Sequence, residues 1–216
     1  MNAEACATRS NTRATAGVLL MVGIVLATLT EAIASTVLSL GRGDIIGDTY
    51  ATPDEFAWLD IGYIALKLIG FMTAPWLLTR FNPRQVIIGA TLAMGMACGI
   101  AAITARLDLL IALRVIQGFA GGTLLVGGQA IIFRAFARSH QPILQALFAM
   151  GAVVASATLA PALQGWLIDS QSWTWIFFSV VPLALAASGF LLIADCLLYT
   201  SPSPRDQRGS RMPSSA

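Results

Sequence analysis

Six long apolar runs dominate this sequence, and each is close to the ~20 residues that an α-helix needs to cross a bilayer. The chain has 216 residues, of which 56% are hydrophobic and 11% charged, whereas soluble domains carry about 25% charged residues. The runs lack the alternation typical of membrane β-strands. The sequence therefore predicts an all-α membrane protein with six transmembrane helices, at Ala16–Leu40, Phe56–Leu78, Val86–Ala105, Leu109–Phe133, Pro142–Leu167 and Trp175–Ala194.

The charges between the runs predict the orientation of the chain. Basic residues precede the first run and follow the second and fourth, whereas the other connections are acidic or nearly uncharged; these bases are Arg9, Arg13, Arg80, Arg84, Arg134 and Arg138. Because cytoplasmic loops are enriched in Lys and Arg, residues 1–15 are predicted to be a cytoplasmic tail and residues 16–195 a membrane domain. Short loops and the lack of a targeting segment predict a bacterial inner membrane.

The C-terminal tail differs from the rest of the chain. From Cys196 it reads CLLYTSPSPRDQRGSRMPSSA, which resembles the translation of a transposon-type sequencing adapter. We expect Cys196–Ala216 to be foreign to the gene and Asp195 to be about its last natural residue. The alternative is a disordered cytoplasmic tail.

Several functional classes are disfavoured. The formal net charge is +2 and the bases form no patch, so no nucleic-acid partner is expected. One histidine and three unpaired cysteines disfavour a metal site, and no cofactor is predicted. Ser35 and Lys67 could imitate a Ser–Lys dyad, but no supporting motif accompanies them. An enzyme is therefore not expected.

Four ionisable residues fall inside the predicted helices: Glu31, Asp60, Lys67 and Arg114. Each costs about 2.5–3.5 kcal/mol at mid-membrane, so each needs a partner, a wet cavity or a function. Asp60 and Lys67 share one helical face; Asp60 either lines a cavity or is simply hydrated near the outer interface. Lys67 serves function or a structural ion pair. Glu31 is either a proton-exchanging carboxyl or a structural partner of Lys67 or Arg114.

A polar and glycine-rich face marks the fourth predicted helix. Its members follow helical spacing: Arg114, Gln117, Gly118, Gly121 and Gly122. Glycines at such positions let another backbone approach closely. The arginine and glutamine would then project into a polar pocket.

Three motifs in order resemble those of the major facilitator superfamily, in particular its fourteen-helix drug/proton antiporters. The fourth helix carries RVIQGFAGG from Arg114 to Gly122. The fifth carries Gly151 and then APALQGW, in which Pro161 and Gly165 match the antiporter motif. Ser172 opens SWTWIF, and Pro182 follows. The resemblance covers Ala16–Asp195.

The loop between the second and third helices departs from the family pattern. Here PWLLTRFNPR retains Arg80 and Arg84 of the family's gating loop, but Thr79 replaces its acidic residue. Lys67 has no family counterpart that we recognise. A divergent member is therefore implied, whose substrate need not be a drug.

The resemblance implies half a transporter, made of two inverted three-helix repeats, whose C-terminal half is missing. It implies proton-driven efflux of small organic molecules, with protons and a small-molecule substrate as partners in the lipid bilayer. Glu31, Asp60 and Arg114 are the candidates for proton coupling, and Lys67 and Gln117 for the substrate cavity. Residues expected to pack helices are Gly118, Gly121, Gly122, Gly151, Pro161 and Gly165. A uniporter or importer of a metabolite and a non-transporting scaffold remain alternatives.

Overall fold

The computed structural model describes residues 2–104, 106–159, 161–163, 165–166 and 174–199. Within these residues all regular structure is helical. A π-helical turn, Ala155–Leu159, continues the sixth helix. The α-helices are α1 (Asn2–Leu40), α2 (Arg42–Thr49), α3 (Pro53–Arg80), α4 (Pro83–Ala102), α5 (Leu107–Ala135), α6 (Gln141–Val154) and α7 (Thr174–Tyr199).

Six stretches of the described chain are long and apolar enough to cross a membrane, which confirms the predicted number of spans. They are Thr15–Thr36, Pro53–Arg80, Pro83–Ala102, Leu107–Ala135, Gln141–Leu163 and Thr174–Leu197. In α labels, the spans lie on α1, α3, α4, α5, α6 with its π-helical continuation, and α7.

Helix ends differ from the predicted boundaries at both ends of the chain. α1 begins at Asn2, inside the predicted tail 1–15, because hydropathy locates the span whereas alanine-rich sequence also favours helix outside it. α7 runs past Asp195 to Tyr199, so helix continues into the tail predicted to be foreign. The polar loop after α1 contains the short helix α2, whose Ile45 is buried.

Local signals mark the start of α3 and the short connection from α3 to α4. Thr52 and Glu55 form a capping box at the start of α3, with Pro53 in the first turn. α3 ends at Arg80, and Asn82 then caps α4, accepting a hydrogen bond from the Arg84 backbone N–H. The connection is therefore one tight turn between two spanning helices.

The spans pack as two close pairs, α3 on α5 and α1 on α7, joined by α4. In an apolar 18-residue stretch of each span, 56% of the residues are buried for α1 and for α5, whereas 22% are buried for α3 and 7% for α6. Large apolar side chains on α3 are exposed: Trp58, Ile61, Ile64, Leu68, Met72 and Trp76. We call this exposed side of α3 the open face.

Glycines bring the backbones of α3 and α5 into direct contact. A Cβ at Gly118 would overlap the carbonyl oxygen of Tyr63, and one at Gly122 would overlap that of Lys67. In return, a Cβ at Gly70 would lie 2.6 Å from the carbonyl oxygen of Phe119. This contact fixes Tyr63 and Lys67 against α5 and thereby positions the polar cluster described next.

Candidate functional site

The carboxylate of Glu31 lies inside the helix bundle and is held by two residues of α3. Its Oε1 accepts hydrogen bonds from Lys67 Nζ at 2.5 Å and from Tyr63 Oη at 3.0 Å. Tyr63 and Lys67 are four residues apart and therefore share one helical face. The Glu31 side chain is 8% exposed and that of Lys67 is 22% exposed, so the lysine lies nearer the surface of the bundle.

The guanidinium of Arg114 lies over the aromatic ring of Tyr63. It is centred 4.2 Å from the Tyr63 ring centroid, within the range of a cation–π contact. Arg114 Nη1 donates to the Ala34 carbonyl oxygen at 2.7 Å and to Gln117 Oε1 at 3.0 Å. Tyr63 thus contacts both the Glu31–Lys67 ion pair and Arg114.

Arg114 and Gln117 keep hydrogen-bonding capacity that nothing in the described part of the chain uses. Arg114 is 1% exposed and Gln117 is 0% exposed. Arg114 Nε, Arg114 Nη2 and Gln117 Nε2 have no partner among the described residues. Buried donors are normally satisfied, because an unpaired one costs about 1–3 kcal/mol.

Asp60 occupies a different environment from Glu31. It is exposed, one helical turn before Tyr63, and makes none of the ion pairs found among the described residues. Its exposure fits the hydrated alternative, although a position on the open face also suits a cavity. Gly121 faces Glu31: a Cβ there would lie 3.1 Å from Glu31 Cγ.

The predicted gating residues have separate surroundings. Arg80 is exposed. Arg84 Nη1 lies 2.8 Å from Asp195 Oδ1, which ties the start of α4 to α7. Arg84 also lines a cavity of about 690 Å³ with residues of α1, with Arg134 and with Leu144 of α6.

The predicted packing residues of the fifth span are only partly described. Pro161 is half-buried, whereas nothing lies within 4 Å of a Cβ built at Gly165. The surroundings of Gly151 lie outside the described residues, as do Ser172 and Trp173. The packing role of this motif stays a prediction.

Sequence reasoning missed Tyr63 and the carbonyl of Ala34. Tyr63 stands three residues after Asp60 and four before Lys67, and that spacing places it between them on one face of α3. That spacing could have identified Tyr63 as a member of the polar cluster. The Ala34 carbonyl had none, because any residue in α1 supplies the same group.

Six spanning helices that enclose a buried carboxylate and guanidinium, with a half-buried ammonium beside them, are the framework of a helical membrane-transport domain. The profile of the Major Facilitator Superfamily matches residues 20–214, and the chain belongs to this superfamily. The matched range includes residues 196–214, and the foreign origin of the tail stays a prediction.

Curated relatives are named for multidrug resistance or export. The chain is 31% identical over 192 residues to the multidrug resistance protein B homolog of Mycobacterium tuberculosis (strain ATCC 25618 / H37Rv), covering 88% of this chain and 34% of that protein. It is 27% identical over 169 residues to the multidrug export protein EmrB of Escherichia coli (strain K12), covering 78% of this chain and 33% of that protein. The chain therefore spans about a third of the length of these relatives.

A solved structure has the same fold. It is a bacterial homologue of the human lysosomal transporter Spinster in an inward-facing, unoccupied conformation, with a TM-score of 0.62 and 17% sequence identity. The match covers 88% of this chain and 44% of that one. The predicted six-helix N-terminal half of a facilitator-type transporter is confirmed as the fold.

Proposed function

We propose that this chain is the N-terminal part of a proton-coupled exporter of small organic molecules in a bacterial inner membrane. Its superfamily consists of transporters, and the names of its relatives support multidrug efflux. The N-terminus would lie in the cytoplasm, as the distribution of Lys and Arg favours. The C-terminal part would complete the transport path.

The observation that carries this proposal is the ion pair of Glu31 with Lys67 inside the bundle. The Glu31 carboxyl group accepts hydrogen bonds from the lysine ammonium and from the tyrosine hydroxyl. Protonation removes the negative charge and with it most of the attraction for Lys67. The Lys67 side chain, already 22% exposed, is then free to move outward.

Such a pair has two charge states and can couple proton binding to a rearrangement of α3 against α1. Asp60, on the exposed side of α3, is a second carboxyl that can exchange a proton with the cavity. Arg114 acts on the pair through Tyr63, since the Tyr63 ring lies against its guanidinium and the Tyr63 hydroxyl binds Glu31. Lys67 and Gln117 would border the substrate path.

The open face supports the assignment to one part of a larger transporter. Only 7% of the residues are buried in the apolar 18-residue stretch of the α6 span, and only 22% in that of the α3 span. In the proposed whole protein, these helices meet the C-terminal part across the substrate cavity, and transport proceeds by rocking of the two parts. The packing motif at Gly151, Pro161 and Gly165 would lie at that contact.

The direction of proton movement tests the proposal. Inverted membrane vesicles carry the product of the complete gene and enclose a pH-sensitive dye, with the lumen acidified beforehand. Ethidium, an organic cation, and taurocholate, an organic anion, are added outside. We expect at least one of them to make the lumen more alkaline, because an exporter moves the compound inward and a proton outward in this geometry. Vesicles without the protein are the control.

The alternatives predict different responses. A proton symporter would acidify the lumen, whereas a uniporter or a scaffold would leave the pH unchanged. If neither compound makes the lumen more alkaline, so that the lumen acidifies or keeps its pH with both, proton-coupled export is contradicted.

A further inference from the structure

One of the two cations in the polar cluster has no carboxylate in direct contact. Lys67 and Arg114 are cations, and Glu31 is their only anionic neighbour among the described buried residues. Glu31 is already engaged by Lys67, and the two hydrogen-bond partners of Arg114 are neutral oxygens. A buried charge without a counter-charge is unfavourable by several kcal/mol. Asp60 and Glu31 act on Arg114 electrostatically, but neither carboxylate forms a salt bridge with it among the described residues, so the guanidinium lacks an anionic group in contact.

The unpartnered side-chain atoms that are fully buried in the cluster are of one kind. Arg114 Nε, Arg114 Nη2 and Gln117 Nε2 are all donors, and the described residues include no buried side-chain oxygen without a partner. A ligand that satisfies them needs acceptor atoms. A cation or a purely donating group would leave these three donors without a partner.

The surrounding groups also favour negative charge. The ammonium of Lys67 lies 5.5 Å from the Tyr63 ring centroid and the Arg114 guanidinium 4.2 Å from it. Both cations therefore flank one ring. The planar guanidinium fork matches the two oxygens of a carboxylate.

We propose that a small anionic group binds against Arg114 and Gln117, either the carboxylate of an organic compound or an inorganic anion such as chloride. The assignment deepens the proposed transport function by naming the chemistry of the ligand. Only the claim that the bound anion is transported rests on that function. Binding itself is measurable without transport, so the two proposals can fail separately.

Thermal unfolding of the 216-residue chain in lipid nanodiscs tests the site. Sodium benzoate, benzamide and sodium chloride are titrated at constant ionic strength, balanced with the bulky buffer anion MES. Benzamide has the shape of benzoate without its charge. At about 100 times the dissociation constant, we expect benzoate to raise Tm by about 5 °C and benzamide to leave it unchanged.

The chloride titration identifies the source of the anion. A rise with benzoate alone assigns the site to an organic carboxylate, and a rise with chloride alone assigns it to an inorganic anion. A rise with both supports one site open to either. No rise with either anion, or an equal rise with benzamide, overturns the proposal; ordered waters or an inward-turned Asp60 would give that flat response.

Two variants locate the site. Gln117→Glu replaces an unpartnered donor by a carboxylate that would itself lie against Arg114. This variant should raise the anion concentration that gives half of the Tm rise at least tenfold. Gln85→Glu makes the same change at an exposed position on α4 and should respond like the unaltered chain. If Gln117→Glu does not fold, Arg114→Lys, which loses the guanidinium fork, should weaken the response at least tenfold. An unchanged response in a folded variant at either position overturns the assignment.

Discussion

Alanine at Gly118 is expected to destabilise the folded chain by about 3 kcal/mol, at the upper end of the usual effect of overpacking. The added Cβ would overlap the carbonyl oxygen of Tyr63. That atom belongs to the backbone of α3 and cannot rotate away as a flexible side chain can. The two helices would have to separate, which would also move Tyr63 and Lys67 away from their partners.

Gly89→Ala is the matched control for this prediction. Gly89 lies in α4, with nothing within 4 Å of a built Cβ. Since alanine favours helix over glycine by up to about 1 kcal/mol, this variant should be neutral or slightly stabilised. Chemical denaturation of both variants in the same detergent gives the comparison. Equal stabilities would show that the close contact of α3 with α5 is absent.

Lys67→Met is expected to destabilise the chain by about 3 kcal/mol. Methionine keeps much of the length and apolar volume of lysine but removes the ammonium, and the Glu31 carboxylate would remain buried with the Tyr63 hydroxyl as its remaining partner here. Removing one partner of a buried ion pair is strongly unfavourable for this reason. Arg80→Met, which removes an exposed cation, should change stability by less than about 0.5 kcal/mol.

Neutralising both partners should recover much of the loss. The double variant Glu31→Gln/Lys67→Met carries neither charge of the pair, so no unpaired charge is buried. The effects of the two substitutions on the free energy of unfolding should therefore be non-additive by at least about 1 kcal/mol. The free energy of unfolding of the two single variants and the double variant supplies this cycle. Additive effects would mean that Glu31 and Lys67 do not form the ion pair.

Hydropathy was enough to predict the six spans, because lipid requires about 20 apolar residues for each crossing. It could not place the start of α1 at Asn2 or the end of α7 at Tyr199, since helix outside the membrane leaves no apolar signal. The short helix α2 was missed because its eight residues are mostly polar. Its core contribution comes from Ile45, which is buried.

The site was predictable as a set of residues but not as a set of partners. Buried charge singled out Glu31, Lys67 and Arg114, while the sequence left open which cation meets Glu31. The choice depends on how α3 sits against α5, which the backbone contacts at Gly118 and Gly122 determine. In that arrangement Lys67 reaches Glu31, and Arg114 is held by Ala34 and Gln117.

Transport by a Glu31→Gln variant of the complete gene product tests the central claim, that Glu31 exchanges the coupling proton. Proteoliposomes should lose uphill uptake driven by a pH gradient, yet retain exchange of labelled for unlabelled compound, which needs no net proton movement. Glu55→Gln is the control, because Glu55 is exposed and glutamine also suits its capping position; both activities should persist there. Gradient-driven uptake that survives Glu31→Gln unchanged would contradict the account.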